Sequence, residues 1–554
     1  MKRSKRIEVL DERPVNQDGF INEWAEMGFV SMHSPYDPKP SIKIVNGEII
    51  ELDGKKKADF DFLDEFIAHY AINIERATAS MRLSSLEIAR KIVDIHVPKE
   101  EILKICTGIT PAKMAEVINH LNVVELMMGM QKMRSRLMPG NQAHITNLKD
   151  DPAQLAADAA EGALRGFAEE ESTMGVARYA PFNAMALLIG SQVGRGGVLT
   201  QCSSEEATEL ELGIRGLTTY AETLSVYGTE KVFIDGDDTP YSKAFLNSAY
   251  ASRGLKVRFT SGAGSEVLMG SAEQKSMLYL ECRCLYVTKG AGSQGTQNGS
   301  VSCVGVAASV PSGVRELLGE NLVAALLGLE CASSNDQSFS HSPMRRTART
   351  MLQMLPGTDF IFSGYAAEPN YDNVFAGSNF DAEDFDDYNV LQRDMMVDGA
   401  LRPVKEEEVI AVRRKAAKAV QAVFKYLGLT QITDEQVEAV TYAHGSHDTL
   451  NRDVTADLIA AEDMMKRGIT GIDVVRALAD SGFEDIAQRI LNMLKQRVAG
   501  DYMQTAAILD EDFHVLSAVN TPNNYMGPGT GYRVGGKRWE EIKAIPHIID
   551  PNDF

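Results

Sequence analysis

Cysteine and tryptophan are scarce in this 554-residue chain, which contains six and two of them, respectively. So few cysteines exclude the disulfide-rich secreted class and favour a reducing compartment, and we therefore predict a cytoplasmic protein. Cys282 and Cys284 form a single C-x-C pair without a second pair. Buried free thiols are expected there in preference to a zinc site.

The chain also lacks an excess of positive charge and long apolar runs. The formal net charge of -21 argues against nucleic acid as a partner, because phosphates are bound by clustered Lys and Arg. Apolar runs such as AMALLIG and NLVAALLGL are too short to span a bilayer, so no membrane segment is expected. The basic start MKRSKR is followed by no apolar stretch and is not expected to be a signal peptide.

Three regions are predicted from the change in sequence texture. Residues 1–139 combine an irregular start, a hairpin around Asn46-Gly47 and several helices, one beginning at Thr110-Pro111. Residues 140–380 alternate short β-rich segments with helical patterns. Residues 381–554 contain an acidic loop, further helices and a Gly-rich tail.

The alternation within residues 140–380 indicates a parallel sheet and the α/β class. Eight repeated units predict a (β/α)8 TIM barrel with helical N-terminal and C-terminal extensions, and a doubly wound open sheet is the alternative. The expected strands are 142–147, 171–177, 197–202, 221–228, 256–262, 296–304, 329–336 and 359–364.

Polar residues near the ends of these strands are the candidate site, because the carboxyl ends of barrel strands converge. All except His144 offer oxygen ligands, which suits calcium or a larger monovalent cation. Each residue also has a structural interpretation: a strand-end Glu can pair with Lys or Arg, His144 can be a core histidine, and Asp336 can cap a helix. The set comprises Gln142, His144, Glu171, Glu222, Gln297, Asp336 and Ser363.

Three further motifs bear on ligand binding. GAGSQG (290–295) matches G-x-G-x-x-G after the strand-like CLYVTK, but no long helix or acidic clamp follows, which argues against a dinucleotide site. DIHVPK (94–99) lacks the final Gly of the cobalt-ligating D-x-H-x-x-G motif, so His96 is interpreted as structural. The small residues of TSGAGSEVLMG (260–270) would let a large planar ligand approach, with Ser225, Ser261 and Ser265 as hydrogen-bonding groups.

Long stretches of the chain resemble one known family. QAHITNLKD, VLTQCSSEEATELELG, YAETLSVYGTE, ASSNDQSFSHS, LPGTDFIFSGY and FAGSNFDAEDFDDYN are similar to the large subunit of adenosylcobalamin-dependent glycerol and diol dehydratases. The resemblance covers essentially the whole chain. FIFSGY, SEVLMG and DIHV favour glycerol dehydratase over propanediol dehydratase.

This resemblance implies a (β/α)8 barrel whose mouth is capped by base-on adenosylcobalamin. It implies radical dehydration of glycerol, 1,2-propanediol or 1,2-ethanediol to an aldehyde, by hydrogen abstraction, 1,2-hydroxyl migration and loss of water. Glycerol would give 3-hydroxypropionaldehyde. The alternatives are propanediol dehydration as the main activity, a non-radical metal-dependent barrel enzyme, and a non-catalytic scaffold subunit.

The resemblance also implies residue roles. Calcium or potassium would be bound by Gln142, Glu171, Glu222, Gln297 and Ser363, which with His144 and Asp336 would bind the substrate. The catalytic residues would be His144, Glu171 and Asp336. Corrin contacts fall to Thr173, Glu206, Thr223, Asp235 and Ser302, and adenine contacts to Ser225, Gly262 and Ser265.

The implied partners are medium and small subunits in a dimer of heterotrimers, and an ATP-dependent reactivating factor. The location would be the cytoplasm or a bacterial microcompartment. Three departures from the family pattern affect predicted packing: Arg136–Gly140 (RLMPG), Ser172, and Tyr241 where Trp is common.

Overall fold

The computed structural model describes a large part of the chain. The described residues are 32–133, 141–146, 151–165, 169–173, 180–193, 198–202, 212, 215–217, 220–231, 239–252, 256–261, 272–292, 301–303, 313–332, 360–363, 405–429, 431–442 and 454–498. For several strands the description covers the backbone alone.

A small antiparallel sheet opens the described part, with β1 (Ile42–Val45), β2 (Glu48–Leu52) and β3 (Lys55–Lys56). Asn46 and Gly47 form the turn between β1 and β2 with φ values of 53° and 82°. Two consecutive positive φ values suit a tight hairpin turn, and the predicted hairpin is confirmed.

Six helices follow the small sheet: α1 (Phe62–Phe66), α2 (Ile74–Arg82), α3 (Ser85–Val93), α4 (Lys99–Cys106), α5 (Pro111–Asn119) and α6 (Val123–Met133). A π-helical segment, Ile67–Ala71, extends α1. The side chain of Thr110 accepts a hydrogen bond from the Lys113 N–H, and Pro111 occupies the first turn, so the predicted start of α5 is confirmed.

Eight parallel strands are described in the central region. They are β4 (Asn141–Thr146), β5 (Glu169–Thr173), β6 (Val198–Cys202), β7 (Tyr220–Val226), β8 (Lys256–Ser261), β9 (Val301–Cys303), β10 (Glu330–Ala332) and β11 (Phe360–Ser363). Hydrogen bonds join them in the orders β11-β4-β5-β6 and β7-β8-β9-β10. In addition, β6 contacts β7.

Five helices alternate with these strands: α7 (Pro152–Arg165), α8 (Ala180–Val193), α9 (Pro240–Ser252), α10 (Met277–Gly292) and α11 (Gly313–Leu326). The last strand pairs with the first, and other neighbours follow chain order, as a barrel requires. Closure of the ring is not described, so the (β/α)8 barrel and the domain boundaries stay predictions.

The C-terminal part contains α12 (Glu406–Leu427), α13 (Asp434–Tyr442), α14 (Val454–Lys466), α15 (Gly471–Asp480) and α16 (Glu484–Val498). The pattern GIDVVRALADSGFEDIAQRILNMLKQR predicts one continuous helix over 471–497. It is divided after Asp480, where Gly482 has a φ of 86°, because a left-handed residue ends a helix.

Two hydrophobic clusters hold the described elements together. The first combines the N-terminal helices with side chains of α9, α10 and α11. The second combines α7 and α8 with the C-terminal helices. The N-terminal and C-terminal extensions therefore pack on different groups of the central helices.

Candidate functional site

Four polar positions from four neighbouring strands form one row. Ser363 on β11 lies beside His144 on β4, His144 beside Glu171 on β5, and Glu171 beside Thr200 on β6. Partners in register on parallel strands lie on the same face of a sheet. The backbone therefore brings three of the predicted site residues to one level.

One of the two neighbouring rows differs in character. The adjacent row contains Phe362, Ala143 and Leu199 together with Glu170, and β4 to β6 contact α7 and α8. A mostly apolar row is expected on the face that helices cover. Gln142 lies two residues before His144, which gives both positions the same face.

On β5, a predicted cofactor position lies further along the strand than the predicted substrate position. Thr173 lies two residues beyond Glu171, roughly 6–7 Å further toward the carboxyl end of β5. It shares the Glu171 face by alternation. A ligand above the strand ends would meet the Thr173 level before the Glu171 level.

An irregularity in β7 occurs at two predicted site residues. Ala221 is in register with Val257 and Leu224 with Phe259, so β7 has one extra residue at Glu222 and Thr223. Regular alternation would place these consecutive positions on opposite faces. The bulge allows both to share the face of Ser225.

Ser302 has a different setting from Ser225. Ser302 is in register with Phe259, which is fully buried, whereas Ser225 is in register with Thr260. Alternate rows lie on opposite faces, so the register does not bring these two serines together. The corrin contact assigned to Ser302 stays a prediction.

The remaining predicted site residues lie outside the described residues, and their roles stay predictions. They are Glu206, Asp235, Gly262, Ser265, Gln297 and Asp336. Arg136–Gly140 also lies outside the described residues, whereas Ser172 lies on β5 in register with Ile145.

A buried ionic cluster, which no sequence pattern indicates, lies behind the end of β7. Arg283 on α10 donates hydrogen bonds to Asp61 at 2.7 and 2.9 Å, to Asp64 at 2.9 Å, and to the Gly228 carbonyl at 2.7 Å. Burial by itself raises the pKa of Asp61, but the Arg283 and Lys55 charges outweigh it, so this pKa lies well below its usual value. Asp61 is therefore ionised at neutral pH.

The cysteine and motif interpretations can now be compared with the structure. Cys282 and Cys284 are buried free thiols, as predicted. CLYVTK is not a strand, because Cys284–Lys289 lies inside α10, a helix buried on almost all sides. An apolar run of this kind does not distinguish a buried helix from a strand by its period. The absence of a preceding strand further weakens the dinucleotide motif.

His96 lies between two N-terminal helices, and Tyr241, on α9, packs against the N-terminal part of the chain. His96 is exposed in the turn between α3 and α4, where its backbone N–H donates to the Asp94 carboxylate at 2.9 Å. The Tyr241 ring contacts Phe66 edge-on at 5.2 Å and Tyr70 at 6.2 Å between centroids. The predicted departure from the family pattern at Tyr241 therefore concerns packing against α1 and its π-helical extension.

A cavity of about 250 Å³ lies beside the N-terminal hairpin, lined by residues that include Glu48, Lys57 and His69. No predicted site residue lines it. Among the side chains that the structure describes, no group of three His, Cys, Asp or Glu is arranged to bind a metal ion. The predicted cation ligands stay a prediction.

Thr200 and Arg283 are the positions that inspection of the sequence overlooked. Thr200 could have been found by its place in VLTQC, at the same level as Glu171 once the strands are aligned. Arg283 could not, because its carboxylate partners lie more than two hundred residues away, at separations of 222 and 219.

No described helix is long and apolar enough to cross a bilayer. The chain matches the family model for the dehydratase large subunit over residues 2–553. It is 68% identical, over 554 residues and 100% of both chains, to the glycerol dehydratase large subunit of Citrobacter freundii. The description as a large subunit implies companion subunits. The chain therefore belongs to the dehydratase large-subunit family and is part of a dehydratase enzyme.

Proposed function

We propose that this chain is the catalytic large subunit of an adenosylcobalamin-dependent glycerol dehydratase. The reaction converts glycerol to 3-hydroxypropionaldehyde, and 1,2-propanediol and 1,2-ethanediol to the corresponding aldehydes. The observation that carries the proposal is the 68% identity, over both full lengths, to a glycerol dehydratase large subunit. Identity this high over whole chains supports a shared site as well as a shared fold.

The proposed fold is the closed (β/α)8 barrel, with the reaction at the carboxyl ends of its strands. The pairing of β11 with β4 supports this choice over a doubly wound sheet, in which strand order reverses at a switch point. The row Ser363–His144–Glu171 then faces the barrel interior. A closed interior also protects reactive species from solvent.

The cation and the substrate would be bound together. Amide, carboxylate and hydroxyl oxygens of Gln142, Glu171, Glu222, Gln297 and Ser363 suit calcium or potassium, with free coordination positions for two substrate hydroxyls. The neighbouring positions on β11, β4 and β5 fit this donor set. The ion would act mainly as a template that fixes both oxygens.

Three residues would handle the hydroxyl groups. His144 would hydrogen-bond the migrating hydroxyl and so lower the barrier to its movement. Glu171 and Asp336 would bind the hydroxyl that stays in place and partly accept its proton. The adjacency of His144 and Glu171 in register supports this division, because two neighbouring strands can serve two neighbouring carbons.

The chain also offers residues that suit the cofactor. Thr173, Thr223 and Ser225 are small polar positions beyond the substrate level, with Glu206, Asp235, Gly262, Ser265 and Ser302 as further proposed contacts. When bound, adenosylcobalamin supplies the radical chemistry that removes hydrogen from the substrate and returns it. The setting of His96, in an exposed turn between α3 and α4, favours the base-on form, in which no His of this chain is a cobalt ligand.

The proposed assembly is a dimer of heterotrimers with medium and small subunits, served by an ATP-dependent reactivating factor. The proposed location is the cytoplasm or a bacterial microcompartment. The acidic net charge of -21 is compatible with small-molecule and protein partners.

The test is to co-express the chain with its companion subunits and to assay aldehyde from glycerol and from 1,2-propanediol. We expect aldehyde only when adenosylcobalamin is added, with the higher kcat/KM for glycerol. Glu171→Gln is expected to reduce kcat by at least about a hundredfold, the scale of a lost proton-handling group. Aldehyde formed equally well without the cofactor would indicate the non-radical alternative, and no aldehyde at all would refute the proposal.

A further inference from the structure

The end of β7 is held from behind by the N-terminal part of the chain. Arg283 on α10 donates to the carbonyl of Gly228, two residues beyond the end of β7, at 2.7 Å. The same guanidinium donates to Asp61 and Asp64 at the start of α1. One buried cation thus connects the strand end with the N-terminal helices.

The carboxylates of this cluster are themselves fixed. Asp61 and Asp64 form a reciprocal cap, in which each side chain accepts from the backbone N–H of the other. The Lys55 ammonium donates to both, at 2.7 and 2.6 Å. Two cations balance two anions, so the cluster carries no net charge and holds the Arg283 guanidinium in one orientation.

The residues directly before α10 are held by the same part of the chain. The Ser34 hydroxyl donates to the Gln274 carbonyl at 2.6 Å, and the Ser276 N–H donates to the Asp37 carboxylate at 2.8 Å. Glu273 and Gln274 have φ values of 51° and 61°. Left-handed backbone is unfavourable for such residues and persists where surrounding contacts hold it.

These contacts hold the end of β7 and the start of α10, the helix that carries Arg283. Ser225, a proposed adenine-side position, lies on β7, three residues before Gly228. Gly228 packs closely against α10, since an added Cβ would lie 2.7 Å from the Leu280 carbonyl oxygen. Arg283 and this close packing together hold the end of β7 against α10.

We propose that residues 32–37 and 55–64, together termed the N-terminal brace, position the adenosyl side of the cofactor site through Arg283 and the start of α10. The inference rests on the proposed function and deepens it. Its residues are positioning residues, because they contact the supporting backbone and not the ligand. The proposed corrin contacts are spread over several strands, whereas Ser225 lies three residues from Gly228. Loss of the brace should therefore weaken binding of the adenosyl group more than binding of the corrin.

The experiment compares the Kd of adenosylcobalamin with that of cyanocobalamin, which carries cyanide in place of the adenosyl group. Both are measured by absorbance titration of the assembled complex, without turnover. For Arg283→Lys we expect adenosylcobalamin binding to weaken roughly tenfold, the effect typical of losing an outer orienting partner, with cyanocobalamin almost unchanged. Ser34→Ala removes a single hydroxyl and is expected to shift the same ratio in the same direction, by less.

The chain offers a matched control in Arg413. It is equally buried and donates to Asp158 at 2.6 Å, to Glu161 at 2.9 Å and to the Val440 carbonyl at 2.8 Å, but it joins α7, α12 and α13. Arg413→Lys should lower stability and leave the ratio of the two Kd values as in the wild type.

The outcomes separate the two claims. Unchanged ratios in both Arg283→Lys and Ser34→Ala, or an equal change in Arg413→Lys, would overturn the brace. If Arg283→Lys does not assemble, Ser34→Ala decides. A wild-type complex that binds no adenosylcobalamin would instead refute the proposed function.

Discussion

At the scale of single residues, buried carboxylates with hydrogen-bond partners dominate the electrostatics of the N-terminal region. Asp53 is 6% exposed and accepts hydrogen bonds from the Ala112 N–H at 2.9 Å and the Ser41 N–H at 3.4 Å. It thereby docks the small sheet onto the first turn of α5. Burial raises the pKa of Asp53 to about 7, against the lowering effect of its hydrogen bonds.

This raised pKa predicts a pH dependence. Between the usual Asp value of 3.8 and about 7, the folded chain retains a proton that the unfolded chain has lost. Stability from this group therefore falls as pH rises through that window. Asp53→Asn cannot ionise, so the Tm advantage of the wild type over the variant should be smaller at pH 8 than at pH 5. A constant Tm difference would contradict the prediction.

At the scale of elements, the helices that support β4 and β5 pack with their backbones in close approach. Gly190 on α8 faces Ala156 on α7, and an added Cβ would collide with the Ala156 backbone carbonyl. These two helices cover the strands that carry His144 and Glu171. The spacing of α7 and α8 therefore affects the relative positions of β4 and β5.

Gly190→Ala should push the helices apart, with a loss of about 1–3 kcal/mol of stability from overpacking and a raised KM for glycerol. Gly428→Ala serves as the comparison. Gly428 ends α12 with a φ of 66° and has no atom within 4 Å of an added Cβ, so it should lose about 1–2 kcal/mol from conformation alone and keep KM unchanged. Unfolding curves and steady-state kinetics test both, and an unchanged KM in Gly190→Ala would contradict the expected link to the site.

The element scale also shows where sequence inspection worked. The strand segments were predicted because each short β-rich run is bounded by Gly, Pro or a helical pattern, and Asn46-Gly47 and Thr110-Pro111 are local signals. The bulge at Glu222 and Thr223 was not predicted, because it depends on the register with β8. The strand predicted for CLYVTK is wrong, because a helix that is buried on almost all sides has no amphipathic period.

At the scale of the whole molecule, the described part has two hydrophobic clusters, each next to one buried arginine with two carboxylates. Arg283 belongs to the region of the N-terminal helices, and Arg413 to that of the C-terminal helices. Removing an arginine leaves two buried carboxylates without this partner, which is far more costly than the pair is stabilising.

Arg283→Met and Arg413→Met should each destabilise the protein by about 3–5 kcal/mol. Because the two arginines share no partner, their effects should add to within about 0.5 kcal/mol in the double variant. Denaturant unfolding of the three variants measures this sum. A larger coupling energy would mean that the two clusters respond as one unit.

The sequence by itself determined the kinds of elements, their approximate places and the family, because these depend on local residue patterns and on long motifs such as QAHITNLKD. Only the tertiary structure decided which positions share a level, as with Ser363, His144 and Glu171, since register arises from hydrogen bonds between strands far apart in the chain. The tertiary structure also determines which residues make the contacts of the N-terminal brace. A buried charge requires a partner, but the sequence does not say that Arg283 finds its partner in Asp61.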